Sequence, residues 1–292
     1  MNASNQNYKK LAIPHFREVF ELIDDALKNR SIPYYLIGVS AIALEMLKKG
    51  FKPARGTKDI DFAIMISSLQ QYQELVEDLL KVGFSKVEAP WTLVHREFNA
   101  VVDLLPFGEI EKNKSIGFNE RYTNLHVLGF KEVMKNSREY EIEDRVVFLP
   151  PIPGMVLLKL VAWSDRPEDR TNDPYDILKI IENYNDLELE SNMTDHHDLI
   201  SVEKEFDELA FSARILGRKA KEYLDESKDL RERIMEVLNA NTLRAEDSQI
   251  AKLWAREKGW ELNYCVLLLK EFKQGLSEDL AKPDGTGTSQ VG

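Results

Sequence analysis

The chain has 292 residues, 43% hydrophobic and 30% charged, and a formal net charge of −11. That length allows one large domain or two ordinary ones with a full core, and the acidic balance argues against broad nonspecific affinity for nucleic acid. No apolar run reaches the roughly 18 residues of a transmembrane helix, the N-terminal residues lack a signal-peptide core, and the lone Cys265 excludes an internal disulfide or a thiolate zinc site. The expectation is a soluble, cytoplasmic protein with no membrane partner.

Residues 8–30 carry Leu11, Phe16, Val19, Phe20, Ile23 and Leu27 at helical spacing. Pro33 opens a short apolar strand, Tyr34 to Ile37, that stops at Gly38, and a helix through Ala41, Leu44 and Leu47 ends at Gly50 as a C-cap. The run from Asp59 to Ile66 reads as the next strand, followed by a helix from Leu69 to Lys81 stopped by Gly83. Strand candidates follow at 84–88, 92–98, 100–105, 125–129 and 145–149. From Pro153 strand signals give way to helices up to about Gln274, and the glycine-rich polar tail after residue 280 has a disordered composition. No internal repeat is visible. The fold class predicted is a mixed α/β (α+β) protein: an N-terminal mixed sheet with flanking helices over 1–150, a helical domain over 151–280 and a tail over 281–292.

Charge is unevenly spread. Lys9, Lys10, Lys48, Lys49, Lys52, Arg55 and Lys58 predict a basic rim near the Asp59 strand, whereas Asp186 to Glu208 holds a single cation, Lys204, and predicts an acidic face.

Asp59 and Asp61 are the most informative residues. On a strand they point the same way, with Ile60 and Phe62 opposite. Paired carboxylates repel unless a cation lies between them, and hard oxygen ligands suit Mg²⁺ together with substrate phosphates; the plainer reading is a solubilised strand end. Asp103 interrupts the apolar strand Ala100 to Leu105, where an unpaired charge is costly. It is the candidate third carboxylate of a two-ion site.

Gly38 at a strand end lets backbone amides approach a phosphate, and Ser40 is either the helix N-cap or a phosphate donor. Lys159 is the sole charge in an otherwise apolar helix, either snorkelling or reaching for a triphosphate. In Asp173-Pro174-Tyr175-Asp176, Pro174 fits N1, Asp173 the N-cap and Asp176 position N3, so capping explains both acids. His196-His197 reads as a solvated loop, because adjacent side chains project apart.

The glycine turn Ile37-Gly38-Val39-Ser40, the run Arg55-Gly56-Thr57-Lys58-Asp59-Ile60-Asp61 and the later Asp103 together resemble the DNA polymerase β-like nucleotidyltransferase superfamily. With Lys159 and the Asp173 to Asp176 segment, the set looks most like its AbiEii/AbiGii-type toxin branch, over about residues 30–185. Val39 departs from the small residue usual at the second turn position, and Asn172 stands where the branch tends to carry arginine, with Arg170 nearby.

The resemblance implies transfer of NMP from an NTP to an acceptor hydroxyl with Mg²⁺ or Mn²⁺. Asp59, Asp61 and Asp103 would be metal ligands and Asp103 the general base. Gly38, Ser40, Arg55, Lys58 and Lys159 would contact the nucleotide, and Lys159 and Asp176 would complete the catalytic set. The implied acceptor is RNA, in particular the tRNA 3′ end, with a cognate antitoxin protein as partner. A small hydroxyl compound of aminoglycoside type, or a catalytically silent nucleotide-binding module, are the alternatives.

Overall fold

In a computed structural model, residues 15–51, 59–111, 115–118, 124–142, 145–200 and 205–278 are described. Helix α1 (Phe16–Asn29) lays Phe16, Val19, Phe20, Ile23 and Leu27 on one buried face. It packs on a sheet built from β1 (Tyr34–Ile37), β2 (Asp59–Met65), β3 (Phe84–Lys86), β4 (Thr92–His95) and β5 (Ala100–Phe107). The strand order is β1-β2-β5-β4-β3. Only β2 and β5 run parallel; the other neighbours are antiparallel. Phe20 of α1 meets Phe62 of β2 with ring centroids 6.0 Å apart. Ile60, Phe62 and Ile64 therefore face α1, and Asp59 and Asp61 take the other side.

Helix α2 (Gly38–Lys48) follows β1 without a loop, and Gly50 beyond it adopts φ +86°. Helix α3 (Leu69–Lys81) is capped by Ser68, whose hydroxyl accepts from the Gln71 N–H, and Arg30 at the end of α1 ties to its Glu74 and Asp78. Two antiparallel ribbons, β6 (Ser115–Gly117) with β7 (Asn124–His126) and β8 (Arg138–Ile142) with β9 (Arg145–Leu149), flank a short helix α4 (Phe130–Lys135). The expected strand at 125–129 thus shrinks to β7, because Gly129 at φ +94° starts α4. Neither β6, β8 nor α4 is read from the sequence: β6 and α4 are too short to show a period, whereas β8 carries the alternation Glu139-Tyr140-Glu141-Ile142 that marks a strand.

Beyond β9 the described residues are helical: α5 (Ile152–Asp165), α6 (Asn172–Leu187), α7 (Leu189–Asp195), α8 (Glu208–Glu226), α9 (Lys228–Thr242), α10 (Gln249–Lys258) and α11 (Leu262–Ser277), with two short 3₁₀ turns. Helix α5 is buried almost all round, which accounts for its uniformly apolar sequence. Helices α8 and α11 touch backbone to backbone. A Cβ on Gly217 would lie 2.1 Å from the Phe272 carbonyl oxygen, and one on Gly275 2.1 Å from that of Arg214.

Several expectations are corrected. Helix α6 begins at Asn172 with Thr171 as N-cap, so Asp173 lies inside the helix and caps nothing. The N-cap of α2 is Ile37, and Ser40 is a buried residue of its first turn. His196 is buried, within 3.3 Å of Arg218, while His197 is exposed. Of the cations expected at a basic rim, Lys48 lies 4.0 Å from Glu45 and Lys49 3.2 Å from Glu188, the latter in the acidic segment. Lys9, Lys10, Lys52, Arg55, Lys58, Lys204 and the tail fall outside the described residues. Among the described residues no helix is long and apolar enough to cross a membrane.

Candidate active site

Three neighbouring strands assemble the site. Ile37, the last residue of β1, is the register partner of Asp61 on β2, and Asp61 is the partner of Asp103 on β5. The parallel pairing of β2 with β5 sets these two carboxylates side by side, with Asp59 two residues earlier on the same face as Asp61. Thr92, across from Asp103 on β4, donates its hydroxyl to Asp103 Oδ1 at 2.5 Å.

Gly38 turns the chain from β1 into α2 at φ +70°, and a Cβ there would lie 2.0 Å from Asp61 Oδ2. Glycine is required twice over: by the left-handed backbone and by the carboxylate pressed against it. Gly38→Ala is expected to lose about 1–2 kcal/mol from backbone strain plus a clash penalty. The clash part should vanish in an Asp61→Ala background, which a double-mutant cycle of thermal denaturation measures.

The carboxylates are electrostatically strained. Burial pushes the Asp61 carboxyl up to about 7, and the charges of Asp103 and Asp59 add to it against the opposing pull of Lys159 and Arg170. Asp103 is also raised, by burial first and then by Asp59, while the Thr92 hydroxyl and Arg170 work the other way. Carboxylates so placed are poised to accept positive charge.

Across from the strands, Lys159 of α5 is buried, with Nζ 2.9 Å from Asp173 Oδ1 and 2.8 Å from Asp176 Oδ2. Burial works to lower its pKa, yet the two aspartates outweigh that and hold it above the ordinary lysine value. Asp173 Oδ2 is buried without a hydrogen-bond partner. The start of α6 is held from behind, where the Trp254 indole N–H donates to the Pro174 carbonyl at 2.7 Å.

A pocket of about 660 Å³ opens between these walls. Gly38, Val39, Asp59, Asp61, Asp103 and Trp91 line the sheet side, and Lys159, Arg166, Arg170 and Asp173 the helical side. The structure thus brings together Gly38, Asp59, Asp61, Asp103 and Lys159. Asp176 stands behind Lys159 rather than at the pocket wall. Ser40 is turned away: its hydroxyl donates to the Ile37 carbonyl at 3.3 Å. Lys159 neither snorkels nor reaches outward, because both partners lie beside it on α6. Arg166, Arg170 and Trp91 are additions to the set read from the sequence. The arginines carry a signal in their spacing, four apart within the charged Asp165 to Arg170 turn, whereas nothing local marks Trp91.

Among the described residues no three carboxylate, histidine or cysteine side chains are gathered closely enough to cage a metal ion. The donor set nonetheless fits a hard divalent cation. The candidate ligands would be carboxylate oxygens that repel one another, and Mg²⁺ is usually held by one or two protein carboxylates with substrate phosphates and water, not by a complete protein cage.

No protein-family model matches the chain, and no curated protein sequence matches it. Similar solved structures include that of the antibiotic-resistance factor ANT(2'')-Ia, at 16% identity over 52% of this chain and 73% of that one, with a TM-score of 0.33. A nucleotidyltransferase-like antigenic protein from Paracoccidioides brasiliensis matches at 14% identity over 76% of this chain and 94% of its own, with a TM-score of 0.37. The Thermotoga maritima CCA-adding enzyme complexed with tRNA matches at 14% identity over 94% and 70%, with a TM-score of 0.29.

Proposed function

We propose that the chain is a metal-dependent nucleotidyltransferase of the DNA polymerase β-like superfamily, moving NMP from an NTP to an acceptor hydroxyl with release of pyrophosphate. The observation that carries this reading is the pairing of Asp61 with Asp103 on adjacent parallel strands, beside Asp59, at the floor of a pocket whose far wall bears Arg166 and Arg170. Asp59, Asp61 and Asp103 would hold Mg²⁺ or Mn²⁺, which when bound supplies charge stabilisation to the attacking and leaving oxygens.

The chain's own groups do the rest. Asp103 accepts the proton of the acceptor hydroxyl, with Thr92 fixing one of its oxygens. The acceptor oxygen then bonds to the α-phosphorus as the bond to the bridging oxygen of the β-phosphate breaks. Gly38 and Val39 admit the phosphates close to the start of α2, and Arg166 and Arg170 neutralise their charge. Lys159 positions Asp173 instead of touching phosphate. Arg55 and Lys58 retain the nucleotide contacts that the resemblance implies. The sheet-bearing part to residue 150 serves as the catalytic domain, and the helices of 151–280 complete the cleft.

The acceptor in this reading is RNA, such as a tRNA 3′ end, in a cytoplasmic toxin–antitoxin setting with a protein antitoxin. A small aminoglycoside-type acceptor is the second reading, favoured by the net charge of −11 and by Asp165 and Asp169 at the pocket. Binding of an NTP with a non-cleavable α,β-bridge tests the donor side: affinity is expected to need both Mg²⁺ and Asp61, and affinity independent of both would favour a silent nucleotide-binding module. Saturable, salt-sensitive tRNA binding separates RNA from small acceptors.

A further inference from the structure

The strand order lays the pocket out as a row. Gly38 follows β1, Asp59 and Asp61 lie on β2, Asp103 on β5, and Trp91 immediately precedes β4. The phosphate-side turn and the tryptophan thus stand at opposite ends, with Asp103 nearest Trp91. The tryptophan backbone is pinned there: its carbonyl accepts from the Leu104 N–H at 2.8 Å, and the next residue, Thr92, holds Asp103. Its ring is only half-buried, backed by Phe118 at 5.9 Å between centroids, and it lines a pocket otherwise rich in charged groups.

From this placement we infer that Trp91 is the stacking platform for the terminal base of a nucleotide acceptor whose hydroxyl is presented to Asp103. The inference rests on the transferase reading and narrows its acceptor to a nucleobase-bearing one. A flat indole backed by a second ring recognises a π-face of any base, which suits a chain end read without sequence preference. A sugar-amine acceptor offers no such face. The incoming NTP is anchored by its phosphates at the opposite end, at Gly38, and a change in its KM is what tells its own base from the acceptor's as the occupant.

The test uses the full chain and its Trp91→Ala and Trp91→Phe variants. Acceptors are a ribonucleotide trimer with a free 3′-hydroxyl, the same trimer lacking its terminal base, and tobramycin. Trp91→Ala should raise the KM for the trimer roughly 5- to 100-fold, leave the NTP KM unchanged, and be largely rescued by Trp91→Phe. The trimer should quench intrinsic tryptophan fluorescence, the abasic trimer should not, and the quenching should disappear in Trp91→Phe. An unchanged trimer KM, a rise in NTP KM instead, or efficient use of tobramycin by Trp91→Ala would overturn the inference. If the wild type transfers nothing, fluorescence decides alone. Trp91-dependent quenching then upholds the base platform while the transferase reading fails, and no quenching overturns the platform.

Discussion

Asp61→Asn is expected to cut nucleotidyl transfer by about 10³-fold or more, the scale of losing several kcal/mol of charge stabilisation at the reacting phosphate, while making the metal-free protein more stable. The second effect follows from the strain in the empty carboxylate set. With its folded pKa near 7, above the unfolded value of 3.8, Asp61 binds its proton more tightly in the folded state. Its favourable contribution is complete below pH 4 and is lost as the pH rises to 7. Asp103, raised as well, shifts stability in the same direction. At pH 8 the variant should gain on the order of 1–3 kcal/mol over metal-free wild type, and the gain should shrink towards pH 4. Thermal denaturation with EDTA across that range, beside initial rates with Mg²⁺, measures both. A variant that loses activity and stability together would mean that Asp61 is a structural residue.

The largest stability effect should come from Lys159→Ala. Removing the ammonium leaves Asp173 and Asp176 buried without their shared cation, a loss of about 3–5 kcal/mol. Adding Asp173→Asn and Asp176→Asn to Lys159→Met should restore most of it, because no buried charge then remains uncompensated. Urea denaturation of the single and triple variants reads this directly. Activity should stay low in the triple variant if Asp173 works in the pocket, whose wall it lines.

The parts of the site that the sequence reveals are those in which a carboxylate breaks a local pattern. Asp59, Asp61 and Asp103 stand out because strands alternate faces and apolar neighbours make a charge conspicuous. That Asp61 lies beside Asp103 is a matter of strand register between segments about forty residues apart, which no local pattern encodes. Lys159 is conspicuous for the same reason as the aspartates, yet its partners lie one helix later. An aspartate next to a proline reads as a cap until the helix is seen to start at Asn172. Ser40 shows the reverse error: serine after glycine has the chemistry of a cap, but β1 runs straight into α2, so the hydroxyl is inside the first turn. Trp91 has no local signature, since only the sheet order brings it beside Asp103.

The most direct test of the transferase reading incubates purified protein with Mg²⁺ or Mn²⁺, each α-labelled NTP in turn, and total tRNA, in parallel with the Asp59→Ala/Asp61→Ala double variant. The expected result is label covalently attached to RNA with one NTP, dependent on the ion and absent with the double variant. Equal labelling by the double variant, or no label on RNA or on any small hydroxyl acceptor despite metal-dependent NTP binding, would contradict it.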